Sequence, residues 1–450
     1  MTASHPLCFV LMPFGTKPDA SGALIDFDAV YTELIIPAVR EAELEPLRAD
    51  EENAGGIIHK PMFERLLLSE YAIVDLTTAN ANVFYELGVR HAVRPHSTTV
   101  LFAEGRRLPF DVSMIRALSY RLDEFSRPAS PMRFQARLTE LLEEAKNART
   151  DSPVFTLVSD WKPPEIDHTK TDTFRERVQY SETIKSQLAK ARMEGVAALV
   201  EVEAALGNIE DQDSGVVIDL FLSYRAVKAW TKMVELVQKM SPPLQATVMV
   251  REQLALALNR AGDSEAAERI LLELIKQRGP SSETCSILGR VYKDQWDAAL
   301  NSGNASQAAE MLSKAIDAYL GGFEADWRDA YPGINAITLM ELREPPDERR
   351  EQILPVVRYA VERRIASGQP DYWDFATLLE LAVLGRDERR ARAALADAVT
   401  SIREAWEPET TARNLRLIRE ARERRQELAP WMREIENELQ RLSHRTSTSV

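Results

Sequence analysis

Two carboxylates in the first hundred residues have neighbours that suit a chemical role. Glu86 stands in the run FYELG, between aromatic residues and a Leu-Gly pair, and Asp75 ends the apolar run YAIVD. A carboxylate beside apolar surface can stabilise, or attack, the oxocarbenium-like centre that forms when an N-glycosidic bond breaks. The sequence therefore makes Glu86 the candidate nucleophile or oxocarbenium stabiliser, and Asp75 the candidate for holding ribose hydroxyls.

Both carboxylates also have a structural interpretation. Glu86 falls near the start of a helix, where an acid stabilises the positive end of the helix dipole by on the order of a few tenths of a kcal/mol. Asp75 can cap the turn that follows its strand. At the level of the sequence both interpretations stay open.

The elements that position these residues alternate between short apolar runs and helical periodicity. Five apolar runs predict strands, at residues 7–13, 44–50, 71–77, 98–104 and 117–122. Apolar side chains recur at helical spacing over 27–39, where Pro37 should kink or split the helix, and a further helix is predicted at 130–148. Strands that alternate with helices predict right-handed βαβ units and a mostly parallel sheet.

Ligands of an open parallel sheet bind beyond the carboxyl ends of its strands. The residues that follow the predicted strands, and those that open the helix carrying Glu86, are therefore the candidate contacts to a substrate. Either Asn80 or Asn82 would cap that helix. The candidate substrate-binding residues are Met12, Pro13, Phe14, Gly15, Asp50, Asn80, Asn82 and Tyr85.

The pattern of apolar residues changes after a Pro- and Asp-rich connector at 151–170. Almost all of the sequence beyond it has helical periodicity. One register fits a tetratricopeptide unit, with Leu254, Ala255, Leu258, Gly262, Ala267 and Leu271 at its large and small positions. A second unit begins 34 residues later with Leu288, Gly289 and Tyr292, but its Gly303, Ala308 and Leu312 arrive seven residues late. Residues 371–399 predict another, degenerate helix pair. The alternative is a generic helical bundle.

Composition excludes several classes of protein. The formal charge of −14 argues against a general nucleic-acid binder, and no apolar run approaches the roughly 18 residues that a membrane span needs. The N-terminus lacks the basic start of a signal peptide. Two distant cysteines and six scattered histidines form neither a disulfide framework nor a zinc site. We therefore expect a reduced, soluble, cytoplasmic protein that requires no metal and no cofactor.

Four segments of the first part resemble the nucleoside 2-deoxyribosyltransferase-like domains, relatives of TIR-type NAD-cleaving domains. These segments are FVLMPFG, RADE, IVDLT and NANVFYELGVRHAVRP, and the resemblance covers roughly residues 5–125. It implies a flavodoxin-like fold, with the catalytic carboxylate at Glu86 and the acid of the preceding strand at Asp75. It also implies that the loop from Met12 to Gly15 lies against a sugar or phosphate, with NAD or another nucleotide as substrate.

The second part resembles the TRAFs-binding domain of apoptosis-signal-regulating MAP kinase kinase kinases and its bacterial counterparts. The resemblance covers most of 150–430 and rests on segments 168–180, 222–236, 329–342 and 371–381, of which DAYPGINA is the most specific string. No kinase signature is present, so kinase activity is not carried over. In the animal kinases the equivalent N-terminal domain is thought to be inactive, which keeps a non-enzymatic function open.

The sequence thus predicts an α/β flavodoxin-like domain followed by an all-α tetratricopeptide-like domain. The expected boundaries are 1–150, 151–170 for the connector, 171–440 for the helical domain and 441–450 for a flexible tail. The leading hypothesis is an effector that cleaves an N-glycosidic bond of NAD or another nucleotide, coupled to helical repeats that hold a protein partner or self-associate. The alternative is a non-catalytic signalling scaffold whose α/β domain only binds a nucleotide or protein ligand.

Overall fold

A computed structural model describes the greater part of the chain. The described residues are 5–19, 24–48, 59–106, 117–123, 126–147, 150–158, 162–164, 168–366, 370–404 and 406–447. They divide into two compact units, of which the first comprises residues 1–229 and 238–247 and the second comprises 230–237 and 248–450.

The first unit contains a six-stranded sheet. Its strands and those of a separate hairpin are β1 Leu7–Leu11, β2 Thr16–Pro18, β3 Leu24–Asp26, β4 Glu45–Arg48, β5 Tyr71–Asp75, β6 Thr98–Ala103, β7 Ala117–Leu122 and β8 Pro128–Ala129. The sheet order is β4-β1-β5-β6-β7-β8, in which only β8 is antiparallel, while β2 and β3 pair with each other. All five strands predicted from the apolar runs are present.

Helices cover both faces of this sheet. They are α1 Phe27–Ala29, a π-helix Val30–Ile35, α2 Ile36–Glu41, α3 His59–Leu68, α4 Ala81–Val93, α5 Pro131–Ala145 and α6 Pro153–Leu157. The π-helical turn directly precedes α2, whose first turn contains Pro37. Proline has no N–H to donate to the preceding turn of a helix. The helix is therefore interrupted as expected, and the interruption is a wider, π-helical turn.

The side chains of β1 show how the two faces are separated. Cys8, Val10 and Met12 pack in the core that α2 and α5 cover, whereas Phe9 and Leu11 pack in the core that α3 and α4 cover. Successive side chains of a strand point to opposite faces, and a parallel sheet covered on both sides buries both sets. The thiol of Cys8 is fully buried, and this burial raises its pKa to about 12.

Further helices of the first unit follow the sheet. They are α7 His168–Glu194, α8 Val196–Leu206, a 3₁₀ turn Ile209–Asp211, α9 Ser214–Ala226 and α11 Pro242–Gln245, while α10 Trp230–Lys239 includes residues of both units. Helix α7 packs against α8 and α9. Among the described residues, no helix has the length and apolar character needed to cross a bilayer.

The second unit is built from five successive helix pairs. The pairs are α12 Val248–Ala261 with α13 Ser264–Arg278, α14 Ser282–Asn301 with α15 Ala305–Ala325, α16 Ala330–Leu342 with α17 Arg349–Ala366, α18 Tyr372–Leu384 with α19 Glu388–Thr400, and α20 Trp406–Arg424 with α21 Pro430–Ser447. The first helix of each pair contacts the first helix of the next. This arrangement confirms the predicted helical repeats, including the pair expected at 371–399.

Glycines and other small residues set the spacing within these pairs. Gly262 and Gly303 follow the ends of α12 and α14 with φ of +98° and +71°, a left-handed conformation that favours glycine. Helix α14 has 20 residues and α12 has 14, so the late arrival of Gly303 reflects extra length in α14 itself. A Cβ atom at Gly289 would lie 2.7 Å from the ring of Tyr319 on α15.

The last helix extends into the segment expected to be a flexible tail. Helix α21 continues to Ser447, and only residues 448–450 of the expected tail 441–450 lie outside the described residues. Buried Met432, Ile435 and Leu439 fix the inner face of the helix, and Ser443 continues that face by one more turn. The flexibility expected for residues 441–450 stays a prediction.

Candidate functional site

The ends of two adjacent strands meet at the edge of the sheet where the sequence places its site. Strands β1 and β5 are parallel neighbours, with Leu11 in register with Val74. Met12 and Asp75 therefore follow at the same edge. Numbered among the five parallel strands, β1 and β5 are the first and third, and the second strand lies on the other side of β1. The order of the strands reverses at this edge, which is where open α/β sheets bind ligands.

The segment from Met12 to Gly15 is held by the helix that follows the hairpin. The Gly15 N–H donates to Oδ1 of Asp28 over 3.2 Å, and the Phe27 N–H donates to the Gly15 carbonyl over 3.0 Å. Met12 and Pro13 are buried, and Phe14 and Gly15 are half-buried. The loop expected to lie against a sugar or phosphate is thus fixed in place.

Arg48, at the end of β4, is a further residue of this edge. Its guanidinium carbon lies 4.7 Å from the ring centre of Phe14 and 4.4 Å from that of Tyr31. Its Nη1 donates to Oδ1 of Asp28 over 2.7 Å. The sequence pointed instead to its neighbour Asp50, which lies outside the described residues. Arg48 could have been recognised as a candidate site residue, because it is an arginine at the end of a predicted strand.

Asp75 is 1% exposed, and both of its oxygens accept hydrogen bonds within the protein. Oδ1 accepts from the Thr77 N–H over 2.9 Å, and Oδ2 accepts from the Tyr120 hydroxyl over 2.8 Å. Burial raises the pKa of Asp75, while the bonds from Thr77 and Tyr120 act in the opposite direction. This is the turn-capping geometry that the sequence offered as the alternative, and the ribose-binding role of Asp75 stays a prediction.

The N-terminus of α4 is capped by Asn80. Its side-chain oxygen accepts from the N–H groups of Asn82 over 2.9 Å and Val83 over 3.4 Å, so Asn80 is the capping residue of the two candidates. Asn82 itself is exposed. The ring of Tyr85 is 60% exposed and packs edge-on against Phe63, with ring centres 6.4 Å apart.

Glu86 lies in the second turn of α4 and is half-buried. Within the described part of the chain, no hydrogen bond or ion pair to its carboxylate is present. Burial raises the pKa of Glu86 to about 7. A carboxyl group with a pKa near neutrality can exchange its proton at physiological pH, as general acids, general bases and nucleophiles must.

The two carboxylates belong to opposite faces of the sheet. Asp75 follows Ile73 by two residues, so both side chains lie on the face of the sheet that α5 covers, where Tyr120 also packs. Helix α4, which carries Glu86, covers the opposite face. The structure therefore brings the ends of β1 and β5 together, and it assigns Asp75 and Glu86 to different faces of the sheet. The described ranges contain no group of three or more His, Cys, Asp or Glu side chains placed to hold a metal ion.

Comparison with protein families gives a match over most of the chain. The family described as the MAP3K TRAFs-binding domain matches residues 83–438. This match begins inside α4, so it takes in strands β6 and β7 of the sheet as well as the helices.

Animal kinases are similar to parts of this chain. Mitogen-activated protein kinase kinase kinase 15 of Mus musculus is 27% identical over 259 residues, which is 53% of this chain and 19% of the kinase. Mitogen-activated protein kinase kinase kinase nsy-1 of Caenorhabditis elegans is 29% identical over 219 residues, which is 44% of this chain and 14% of the kinase. The aligned region thus spans less than a fifth of each of these relatives.

A thermophilic tetratricopeptide repeat protein of Thermus thermophilus is among the solved structures that match part of this chain. It is 13% identical, with a TM-score of 0.35, and the match covers 45% of this chain and 98% of that protein.

Proposed function

This chain belongs to the MAP3K TRAFs-binding domain family, and from that premise we propose that it is a protein-interaction module of a signalling system. The helical pairs would hold a protein partner or a second copy of the chain. The family takes its name from binding to TRAFs, and the partner that we propose for this chain is of the broader class, a protein. The observation that carries the proposal is the extent of the match, which includes all five helix pairs of the second unit up to residue 438.

The surface of the helical unit supports this function. Val356 and Tyr359 lie about one turn apart on α17 with their side chains 41% and 56% exposed. Large exposed apolar side chains close together on one helix are typical of surfaces that contact another protein.

Sedimentation velocity and affinity purification of the full chain test this proposal. We expect self-association, or one protein retained in stoichiometric amount, and loss of that association in Tyr359→Glu. The matched control is Gln352→Glu, which adds the same charge at an exposed position of α17. A wild-type chain that stays monomeric and retains no stoichiometric partner contradicts the proposal.

A second candidate function rests on Glu86. We propose that the α/β part binds a nucleotide, NAD or a nucleoside derivative, and that Glu86 acts at its N-glycosidic bond as nucleophile or oxocarbenium stabiliser. The half-buried carboxylate, with its pKa raised to about 7, supports this chemistry. The strand order supports the expected fold, because five parallel strands in the order 2-1-3-4-5 are typical of flavodoxin-like sheets. The resemblance to nucleoside deoxyribosyltransferase-like and TIR-like domains belongs to this candidate as well.

The expected substrate-binding residues remain part of this second proposal. The fixed loop from Met12 to Gly15 would lie beside the sugar or phosphate, and exposed Tyr85 would contact the base. Asn80 would shape the cleft through the helix that it caps, with Asn82 beside it.

Incubation of the full chain with NAD, NADP, ATP and deoxynucleosides, followed by chromatography, tests the second candidate. Glu86→Gln keeps the shape of the side chain and removes its charge. We expect base release by the wild type and none by the variant. Equal release by both proteins removes Glu86 from the reaction, and no release by either leaves the interaction module as the function of the chain.

A further inference from the structure

A cavity of about 520 Å³ lies among the helices of the second unit. Its lining comes mainly from the first helices of the pairs, α12, α14, α16, α18 and α20, with one residue from α17. Its volume falls within the range of roughly 300–1,000 Å³ that small-molecule sites occupy.

Most charged groups of the lining are paired with one another. The four arginines of the lining lie within ion-pair distance of acids of the same cavity. The pairs are Arg260 with Asp294 at 3.8 Å, Arg290 with Asp294 at 2.9 Å, Arg364 with Asp374 at 2.8 Å, and Arg413 with Asp297 at 2.6 Å. Each arginine of the lining thus already has an acidic partner, although Arg260 and Arg290 share Asp294.

Lys293 differs from these arginines. It is only 8% exposed, lines the cavity from α14, and has no hydrogen bond with any described residue. No carboxylate in the described part of the chain lies within 4.0 Å of its ammonium group. Burial lowers its pKa, and Arg290 lowers it further, while Glu380 and Asp297 counteract this from a longer distance. A buried charge without a partner destabilises a protein unless something else pairs with it.

Glu380 does not serve as the missing partner. Its Oε1 accepts from Nδ2 of Asn414 over 2.9 Å, and its Oε2 accepts from the Thr338 hydroxyl over 3.4 Å. The carboxylate is therefore held by neutral donors, and the ammonium of Lys293 is left facing the cavity.

Aromatic rings stand on another side of the cavity. The indole rings of Trp373 and Trp406 have their centres 5.6 Å apart at an angle of 36°, and they are 36% and 54% exposed. Tyr331 also lines the cavity and is largely exposed. Exposed faces of aromatic rings bind flat rings by stacking.

The ion pair of Arg413 with Asp297 joins α20 to α14, helices of the fifth and second pairs. This link spans the cavity, because both residues belong to its lining. An extended peptide would have to pass this link, whereas a small molecule needs only the space beside it.

We propose that this cavity binds a small molecule with one anionic group and one flat ring. The anionic group pairs with Lys293, and the ring packs against Trp373 and Trp406. A carboxylate and a phosphate would satisfy Lys293 by the same chemistry. The proposal rests neither on the exposed residues Val356 and Tyr359 of α17 nor on Glu86.

Calorimetric titration of the full chain with two matched pairs of probes tests the proposal. Indole-3-acetate is compared with neutral indole-3-acetamide, and AMP is compared with adenosine. We expect at least one anion to bind roughly tenfold more tightly than its neutral partner, since that ratio corresponds to one favourable charge interaction of about 1.4 kcal/mol. Preference for the acetate indicates a carboxylate ligand, and preference for AMP indicates a phosphate.

Two variants separate ligand binding from a structural role of Lys293. Lys293→Met should abolish the preference for the anion and raise the melting temperature of the ligand-free protein, because it removes an unpaired buried charge. Lys276→Met, the same change at an exposed position of α13, should alter neither quantity. Trp406→Leu should weaken both members of the preferred pair.

The proposal is overturned if no anion binds better than its neutral partner, or if Lys293→Met keeps the preference. It is also overturned if Lys293→Met lowers the melting temperature of the ligand-free protein, since the ammonium would then have a structural partner. Tight binding of an acidic peptide that the small anions cannot displace would assign the cavity to a protein partner instead.

Discussion

Each of the two units holds an ionisable group that lacks a partner in the described structure, but the groups differ in charge and in origin. Glu86 stands in a helix that packs on a sheet whose strands lie within about 120 residues of sequence, five of them recognisable from their own apolar runs. Lys293 is enclosed by side chains such as Glu380 and Asn414, which follow it by about 90 and 120 residues. An ionisable residue whose position follows from a local strand or helix pattern can be recognised from the sequence. A residue that is buried only by the stacking of several helix pairs cannot.

The largest effect is expected from the helical unit, where contacts between helices determine the structure. Gly289→Leu would place a side chain against the ring of Tyr319, where even a Cβ atom lies at 2.7 Å. We expect a loss of about 3 kcal/mol of unfolding free energy from overpacking, and loss of any self-association. Tryptophan fluorescence during urea unfolding measures it, because all seven tryptophans lie at or beyond residue 161.

Gly321→Leu is the matched control, since a Cβ atom at Gly321 on α15 meets nothing within 4 Å. Equal stability of the two variants would mean that the contact between α14 and α15 is not tight, and the repeat register would be wrong.

A smaller effect with a distinct pH dependence is expected at Glu86. Because the pKa is raised from 4.5 to about 7 in the folded protein, Glu86 keeps its proton more readily there than in the unfolded chain. The stability linked to that proton is fully present below about pH 4.5 and is lost as the pH rises through 7. We expect about 2 kcal/mol, after allowance for the part of the carboxylate that water screens.

Urea unfolding of wild type and Glu86→Gln at pH 4.5 and pH 8 measures this difference. The variant should gain stability relative to the wild type at the higher pH, and Glu45→Gln, at an exposed position, should not. A stability difference between wild type and Glu86→Gln that stays constant with pH would show that Glu86 is solvated like an ordinary surface acid.

The next effect concerns the hydrogen bond between Asp75 and Tyr120, which lies within the first unit. Asp75→Ala leaves the Thr77 N–H and the Tyr120 hydroxyl without their acceptor, and Tyr120→Phe removes one of the two donors. A double-mutant cycle should give a coupling energy of about 1–2 kcal/mol in thermal or urea unfolding. Additive effects would indicate that the hydrogen bond to Tyr120 contributes little, and would favour a role for Asp75 toward a ligand.

The smallest effect is expected for the ion pair that crosses the helical array. Arg413 is 58% exposed at its side chain, so Arg413→Ala should change the unfolding free energy by less than about 1 kcal/mol. Urea unfolding measures it. A loss as large as that of Gly289→Leu would mean that the link between α14 and α20 contributes as much to stability as the packing of α14 on α15.

Much of the α/β part could be predicted, because continuous apolar runs bounded by polar turns identify buried parallel strands. The cap at Asn80 could be predicted for a similar reason, since asparagine before an apolar helix is an N-cap signal. The hairpin of β2 and β3 was missed, because each strand has only three residues and the outer one ends in exposed Lys17 and Pro18.

The face of the sheet on which the Asp75 side chain lies was not predicted either. Period-two alternation places Asp75 on the same face as Ile73, but which helices cover that face depends on the crossover of the chain. Tyr120 lies in a strand that was predicted, yet its hydrogen bond to Asp75 spans 45 residues.

Lys293 shows the limit of such reasoning in the helical unit. Its local run YKDQWD looks like a solvated helix face, because four of its six residues are charged or polar. Its burial arises only when α16 packs on α14 and residues of α18 and α20 close the same cavity, and no local pattern contains that information.

The extra length of α14 bears on how such arrays change in evolution. Seven residues make two helical turns to within about 20°, so the insertion leaves the angular phase of the helix almost unaltered. Side chains before and after the insertion keep facing the same neighbours, although the spacing of 34 residues is broken. A repeat can therefore gain or lose material in steps of seven and retain its place in the stack. A sequence search for a fixed period of 34 residues would miss such a unit. A search that follows the angular position of side chains around the helix would still detect it.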